Sequence, residues 1–235
     1  MIVWLSGAAA CLAALGIAAA AEPPGAATRW REEKSWAWYR ELPWTLGFNF
    51  VPSTACNTTE FWCAETFDER TIDRELTWAA GLGFNACRVF TQQLVWKNDP
   101  EGFKRRFARF LEIASGHHIS VMPTLFDDCT FGDPPLAEPF LGKQREPIPG
   151  MIIPSWTPSP GLSKVTDPTA WGDLEAYVKD FIGTFKDDPR IILWDLYNEP
   201  GNSNMGEKSG SSGFAVLFIV HTPRVGIGFR AGRRF

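Results

Sequence analysis

Three times between residues 66 and 197 the chain repeats one pattern: an apolar stripe at helical spacing, a stop signal, then a short strand-like run. In the first unit Ile72, Leu76, Ala79 and Ala80 form the stripe, Gly81 and Gly83 the stop, and residues 84–90 (FNACRVF) the strand. Thr66 and Glu69 frame a capping box at its start. In the second, Asp99 and Pro100 supply an N-cap and a first-turn proline. Phe103, Phe107, Phe110, Leu111 and Ala114 line one face, Gly116 ends it, and residues 120–126 (SVMPTLF) are the strand. In the third, Asp167-Pro168 repeats the same start and Trp171, Leu174, Val178, Phe181, Ile182 and Phe185 make the stripe. Asp187-Asp188-Pro189 breaks it, and the strand covers residues 191–197. With residues 46–50 (LGFNF) as a strand before the first unit, the order is β followed by αβ three times. Such alternation predicts a parallel sheet with right-handed helical crossovers.

The last strand runs into residues 191–202, IILWDLYNEPGN. Its apolar start has the length and composition of a strand buried on both faces. Pro200 cannot donate to a ladder, so the strand ends at or before it. Glu199 then stands at the carboxyl end of a parallel strand, where α/β barrels carry their catalytic side chains. Apolar rings near a Glu favour its neutral form and raise its pKa into general-acid range. Asn198 beside it is placed to donate to a substrate hydroxyl or to a second carboxylate. Asn-Glu-Pro in isolation is also ordinary turn chemistry.

WDLYNEPGN after a strand resembles the acid/base motif of glycoside hydrolase family 5 and of the wider clan of retaining β-glycosidases. The resemblance runs from about residue 36 to about residue 209. It implies a (β/α)8 barrel truncated to roughly its first four βα units, since four strands are used by residue 200 and a full barrel needs about 250 residues. It implies Glu199 as acid/base, Asn198 as the contact to a sugar 2-hydroxyl, and Arg88 as a brace beneath the nucleophile; a structural ion pair is the other reading of Arg88. In the family the nucleophile is a Glu ending strand seven, and no other Glu here occupies an equivalent strand end. Residues 36–44, rich in aromatics, would pack near the barrel mouth. A family His near strand three or four has no counterpart.

Asp127 and Asp128 follow the third strand at the same face, either to bind sugar hydroxyls or to cap the loop as Asx turns. Trp96 and Trp156 are the candidate stacking platforms for sugar, with Trp194 beside the motif. Eleven Trp in 235 residues suit pyranose stacking, although any single Trp is as readily core. Residues 127–166 form a long loop rich in Pro and Gly, of a length that is usually functional or disordered.

The formal net charge of −4 leaves no basic excess for nucleic acid. Residues 1–21 are Ala-rich and apolar, ending in three alanines before Glu22, as in a secretory signal; a membrane anchor is the alternative. Secretion would give meaning to the glycosylation sequon at Asn57 and to pairing among Cys56, Cys63, Cys87 and Cys129. Four thiols allow three pairings; Cys56 with Cys63 is one within a single loop, and Cys87 reads as a buried thiol. No Cys/His spacing points to zinc, and neither metal nor cofactor is expected. The chain thus divides into residues 1–21 (signal), 22–209 (barrel half, its first residues a polar lead-in) and 210–235. The last segment has no family counterpart and reads as a frameshift or gene-model artefact, or as a real tail docked on the sheet edge.

Three functions follow. The first is a secreted retaining hydrolase of a β-1,4-linked polysaccharide such as glucan, mannan or xylan, this chain lacking turnover for want of its nucleophile. The second is a non-catalytic carbohydrate-binding fragment, and the third a membrane-anchored structural protein.

Overall fold

The computed structural model describes residues 30–151 and 153–200, together with the backbone of residues 219–220. The expected signal, and all of the 210–235 tail except that pair, lie outside the described residues. The elements run α1 (Glu32–Glu41), β1 (Gly47–Phe50), α2 (Thr58–Trp62), α3 (Glu69–Gly81), β2 (Ala86–Phe90), α4 (Gln93–Asn98), α5 (Pro100–Gly116), β3 (Ser120–Asp127), α6 (Leu162–Thr166), α7 (Trp171–Phe185), β4 (Trp194–Asn198) and β5 (Ile219–Val220). Strands β1 to β4 lie side by side in chain order and pair in parallel. This is an α/β fold whose parallel sheet has the topology of half of an α/β barrel. The two residues of β5 pair antiparallel with β4.

The predicted units are all present, with shifted ends. Asp99 caps α5 by accepting from the Gly102 N–H at 2.9 Å, with Pro100 in the first turn. The capping box expected at Thr66 and Glu69 does not form. Asp68 is the N-cap of α3 and accepts from the Thr71 N–H at 3.1 Å, because its carboxylate stands next to the first turn. Thr66 donates instead to the carbonyl of Glu60. At the third unit Asp167 caps only a short 3-10 turn, and α7 begins at Trp171.

Helices α3 and α5 end in the same way. Phe84 N–H reaches Ala79 O and Gly83 N–H reaches Ala80 O; Ile119 N–H reaches Ala114 O and His118 N–H reaches Ser115 O. Both are Schellman closures, which need a left-handed residue. Gly83 supplies it at φ 91°, but at α5 the residue is His118, at φ 58°. A side chain in that conformation costs about 1 kcal/mol. His118→Gly is therefore expected to raise stability by roughly 0.5–1 kcal/mol, read as a shift in the urea midpoint; no gain would mean that the exposed imidazole makes a compensating contact.

The core lies between one face of the sheet and the helices. Phe50, Cys87, Val89, Val121, Leu125 and Trp194 meet Phe103, Phe107, Phe110, Tyr177, Phe181 and Phe185 there. The other face is partly open: Arg88, Met122 and Asp195 on it are only half-buried. The expectation that the fourth strand is buried on both faces is thus not met, since no described element covers the inner side of the sheet.

Segments without a long apolar period were misread. The polar lead-in expected over residues 22–35 gives way at Glu32 to a helix that runs to Glu41 and buries none of its residues. Trp36, Tyr39 and Trp44 are exposed. Asn57 is fully buried: its side chain donates to Gln144 Oε1 at 2.9 Å and Ser155 O at 3.1 Å, and accepts from the Glu60 N–H at 3.0 Å as the cap of α2. A glycan cannot attach to that amide in the folded chain, so the sequon is a structural cap. Cys56, Cys63, Cys87 and Cys129 are all free thiols, so the Cys56–Cys63 bridge is not formed. Burial pushes the Cys56 thiol up to about 12, helped by the neighbouring Glu60, which leaves it inert at neutral pH.

Candidate active site

The carboxyl ends of β2, β3 and β4 bring Arg88, Asp127, Cys129, Asn198 and Glu199 into one hydrogen-bonded chain. Strand register begins the assembly: Thr124 on β3 pairs with Asp195 on β4, and Asp127 with Asn198. β4 ends at Asn198, so Glu199 is the first residue past the ladder, ahead of Pro200. Its φ is +46°, a left-handed conformation that a non-glycine residue adopts at a cost. The carboxyl group is exposed and accepts from the Cys129 thiol at 3.3 Å. The apolar surroundings expected to favour its neutral form are therefore not supplied by the described residues.

Arg88 makes an ion pair with Asp195. It also donates to Asn198 Oδ1 at 2.8 Å and to Thr124 Oγ1 at 3.0 Å, and its guanidinium lies 4.6 Å from the centre of the Phe90 ring. Arg88 is thus half of an ion pair, and the side chain it braces is Asn198 rather than a nucleophile. A planar fork suits two such partners better than an ammonium would.

Asn198 is held at both ends of its amide. Oδ1 accepts from Arg88, while Nδ2 donates to Asp127 Oδ1 at 2.8 Å and to Cys129 Sγ at 3.4 Å. A cationic donor on one side and a carboxylate on the other determine which way the amide faces. The long contact to sulfur is the weaker of the two made by Nδ2.

Asp127 is buried, and three donors converge on it: Asn198, the Cys129 N–H at 3.0 Å and the Trp156 indole N–H at 2.6 Å. Burial nonetheless pushes its pKa above the ordinary 3.8, the donors only partly offsetting the loss of water. The folded chain then binds this proton more tightly than the unfolded chain does. Its contribution to stability is greatest in acid and is lost as pH rises from the ordinary value through the folded one. Denaturation midpoints from pH 4 to 7 are expected to show the wild type losing ground, with rising pH, relative to Asp127→Asn. Parallel profiles would place Asp127 in a wetter site.

The other candidates fall elsewhere. Asp127 and Asp128 serve the protein rather than presenting free carboxylates: Asp128 is buried and accepts from the Tyr197 hydroxyl at 2.5 Å. Trp156 is buried edge-on against Phe90 with its N–H on Asp127, so it offers no stacking face. Trp96 is wedged between α4 and α7, 5.2 Å from the Tyr177 ring centre, with its N–H on Asp180 at 2.7 Å. Trp194 is fully buried against Phe181 in the helix-facing core, and its indole N–H finds no partner among the described residues. Trp156 and Trp194 are buried and Trp96 is half-buried, because their ring area is worth more in contact with Phe and Tyr than in water.

Two features escaped the sequence. Asp195 and Arg88 are opposite charges inside apolar runs that become β4 and β2, with β3 between them, and that coincidence was the available signal. Phe131 lies in the long loop after β3, where no period marks it. It is 42% exposed and lines an open cavity of about 660 Å³ with Arg145, Ile148, Met151 and Ile153, two positions beyond Cys129.

The fold and the site together define a parallel α/β sheet with a conjoined Arg–Asn–Asp–Cys–Glu network at the carboxyl ends of its strands. Solved structures similar to the chain are members of glycoside hydrolase family 5. One is an exo-β-1,4-mannosidase from Opitutaceae bacterium strain TAV5, at 21% identity and TM-score 0.46, matching 68% of this chain and 26% of that one. Another is a GH5_18 protein from Streptomyces cattleya in complex with GlcNAc, at 15% identity and TM-score 0.44, matching 69% of this chain and 36% of that one. The chain thus spans about a quarter to a third of these proteins. No protein-family model matches it, and neither does any curated protein.

Proposed function

We propose that the chain carries the acid/base half of a retaining glycosidase site for β-1,4-linked polysaccharide such as glucan, mannan or xylan. The observation that supports this reading most is the Asn198–Glu199 pair at the end of β4, with Asn198 braced by Arg88 and Asp127. A carboxyl group at a strand end protonates a glycosidic oxygen, and an amide beside it binds the hydroxyl whose contact strengthens in the transition state. Retention requires a second carboxyl group about 5–5.5 Å from the first. The described carboxylates around Glu199 are already engaged, Asp127 by three donors, Asp128 by Tyr197 and Asp195 by Arg88. None of them is the nucleophile, and the described residues alone do not turn over substrate. Phe131 takes the stacking role first given to the tryptophans.

The test is affinity electrophoresis of the purified chain in β-glucan, mannan and xylan. Binding to one of them is expected, weakened about tenfold by Asn198→Ala through loss of one hydrogen bond to sugar. Equal mobility of wild type and variant in all three would overturn the reading. Release of reducing sugar by the purified chain, abolished by Glu199→Gln, would overturn the statement on turnover and uphold the role of Glu199. Residues 1–21 direct export in this reading, so the mature N-terminus should be Glu22; a mature protein retaining those residues would favour the anchored alternative. No helix among the described residues is long and apolar enough to cross a membrane.

A further inference from the structure

Cys129 touches both members of the Asn198–Glu199 pair. Its thiol donates to Glu199 Oε2 at 3.3 Å and accepts from Asn198 Nδ2 at 3.4 Å. The residue is itself fixed: its backbone N–H donates to Asp127 Oδ1, and its side chain packs with Phe90 and Trp156, leaving it 7% exposed. The carboxyl group it meets is on an exposed residue with a left-handed backbone. Ordering a long side chain has an entropic cost, and a contact that selects one rotamer is set against it.

We propose that Cys129 is a positioning residue for the acid/base: it orients the Glu199 carboxyl group and occupies the Asn198 amide until a sugar hydroxyl takes its place. The proposal rests on the glycosidase reading. A thiol suits the task because it is a weak donor and a weak acceptor, enough to select one rotamer and weak enough to yield to a hydroxyl. A serine or aspartate at the same point would compete with substrate for Asn198. Cys129 stays protonated through the neutral range, since burial, and then the charges of Asp127 and Glu199, hold its pKa well above the ordinary thiol value. It therefore acts as a donor rather than as a nucleophile. Among the described residues, the charged and titratable groups around the pair are Asp127, Asp128 and Cys129 from the end of β3, Arg88 from β2, and Asp195 and Tyr197 from β4.

The experiment is a carbon-13 NMR titration of the Glu199 carboxyl group in the purified chain, in wild type, Cys129→Ala and Cys129→Ser. A donor on the carboxylate favours the charged form, so Cys129→Ala should move the midpoint up by about half a unit, and Cys129→Ser, which keeps a donor, should return it towards wild type. A midpoint unchanged or lowered in Cys129→Ala overturns the proposal. The reciprocal measurement covers the case in which Cys129→Ala fails to fold. Alkylation of Cys129 by iodoacetamide at pH 9, followed by peptide mass spectrometry, should be several-fold faster in Glu199→Gln, because the neighbouring charge that opposes the thiolate is gone. Equal rates overturn the contact. Neither measurement uses sugar, so their failure is distinct from failure of the Asn198→Ala binding test, which would remove the reading on which the role depends.

Discussion

Replacing Arg88 by methionine is expected to cost about 2–4 kcal/mol of folding stability and to release the Asn198 side chain. Removing one partner of a buried pair leaves the other charge uncompensated, at a cost of about 3–5 kcal/mol. Here the side chains of Arg88 and Asp195 retain 22% and 17% of their exposure, so water screens part of that cost. The donor to Asn198 Oδ1 is lost in the same step. Urea denaturation gives the loss directly. The double variant Arg88→Met, Asp195→Leu should recover more than half of it, because the stranded carboxylate is then gone and two apolar groups fill the same place. A single-variant loss below about 1 kcal/mol would show that water reaches the pair freely. Amide NMR signals of Asn198 should broaden or shift in Arg88→Met and be restored by Arg88→Lys only in part, since an ammonium lacks the planar fork.

The second large effect is at Trp62, on the helix-facing side of the sheet. Its indole is fully buried, stacks on Phe61 with ring centres 4.1 Å apart, and meets Phe103, Phe107 and Phe110. Its N–H donates to the carbonyl of Phe90 at 2.7 Å, at the very end of β2. The residue thus ties the helical layer to the strand end that carries Arg88. Trp62→Ala should cost about 4 kcal/mol from lost transfer and the cavity left behind, a fall of roughly 8–16 °C in the thermal midpoint for a chain of this size. Trp62→Phe keeps the stack and loses the hydrogen bond, and should cost about 1–2 kcal/mol. Equal effects of the two would place the weight on the N–H rather than on the ring.

The two residues also mark the limits of reading the chain by eye. The stripes of α3, α5 and α7 were legible because a long helix against a core repeats its apolar positions every three or four residues, and all of Ile72, Leu76, Phe103, Phe107, Phe110, Phe181 and Ile182 lie in the core. The strand ends were legible within two residues, except that β4 starts three residues later than expected, through Gly, Pro and the change of period. Helix α2 was not, because five residues make little more than one turn and carry no period. Trp62 lies on that helix. Residues 32–41 misled for the opposite reason: the helix has no buried residue, so no core imposed a pattern on its sequence.

At the site, Glu199, Asn198 and Arg88 were legible because each is a polar residue at a fixed place in a strand run. The tryptophans were not. Composition counts aromatic rings without saying which way they face, and Trp156 and Trp194 turned inward while Phe131 remained at the surface. Asp127 and Asp128 were open between sugar and structure; the parallel register of β3 and β4 brought Asn198 and Tyr197 against them and decided for structure. Cys129 was read as one of four thiols for pairing, and only the fold placed it between Asn198 and Glu199.

By itself the sequence determined the order of the three long helices α3, α5 and α7 and of strands β1 to β4, the parallel sheet and the position of Glu199 past the end of its strand. These follow from period, from capping and from the missing N–H of proline, all of which act over a few residues. The tertiary structure alone decided which polar groups meet. Contacts such as Arg88 with Asn198 and Asp127 with Trp156 join residues far apart in the chain, and their geometry is set by strand register and by the low polarity of the space they share.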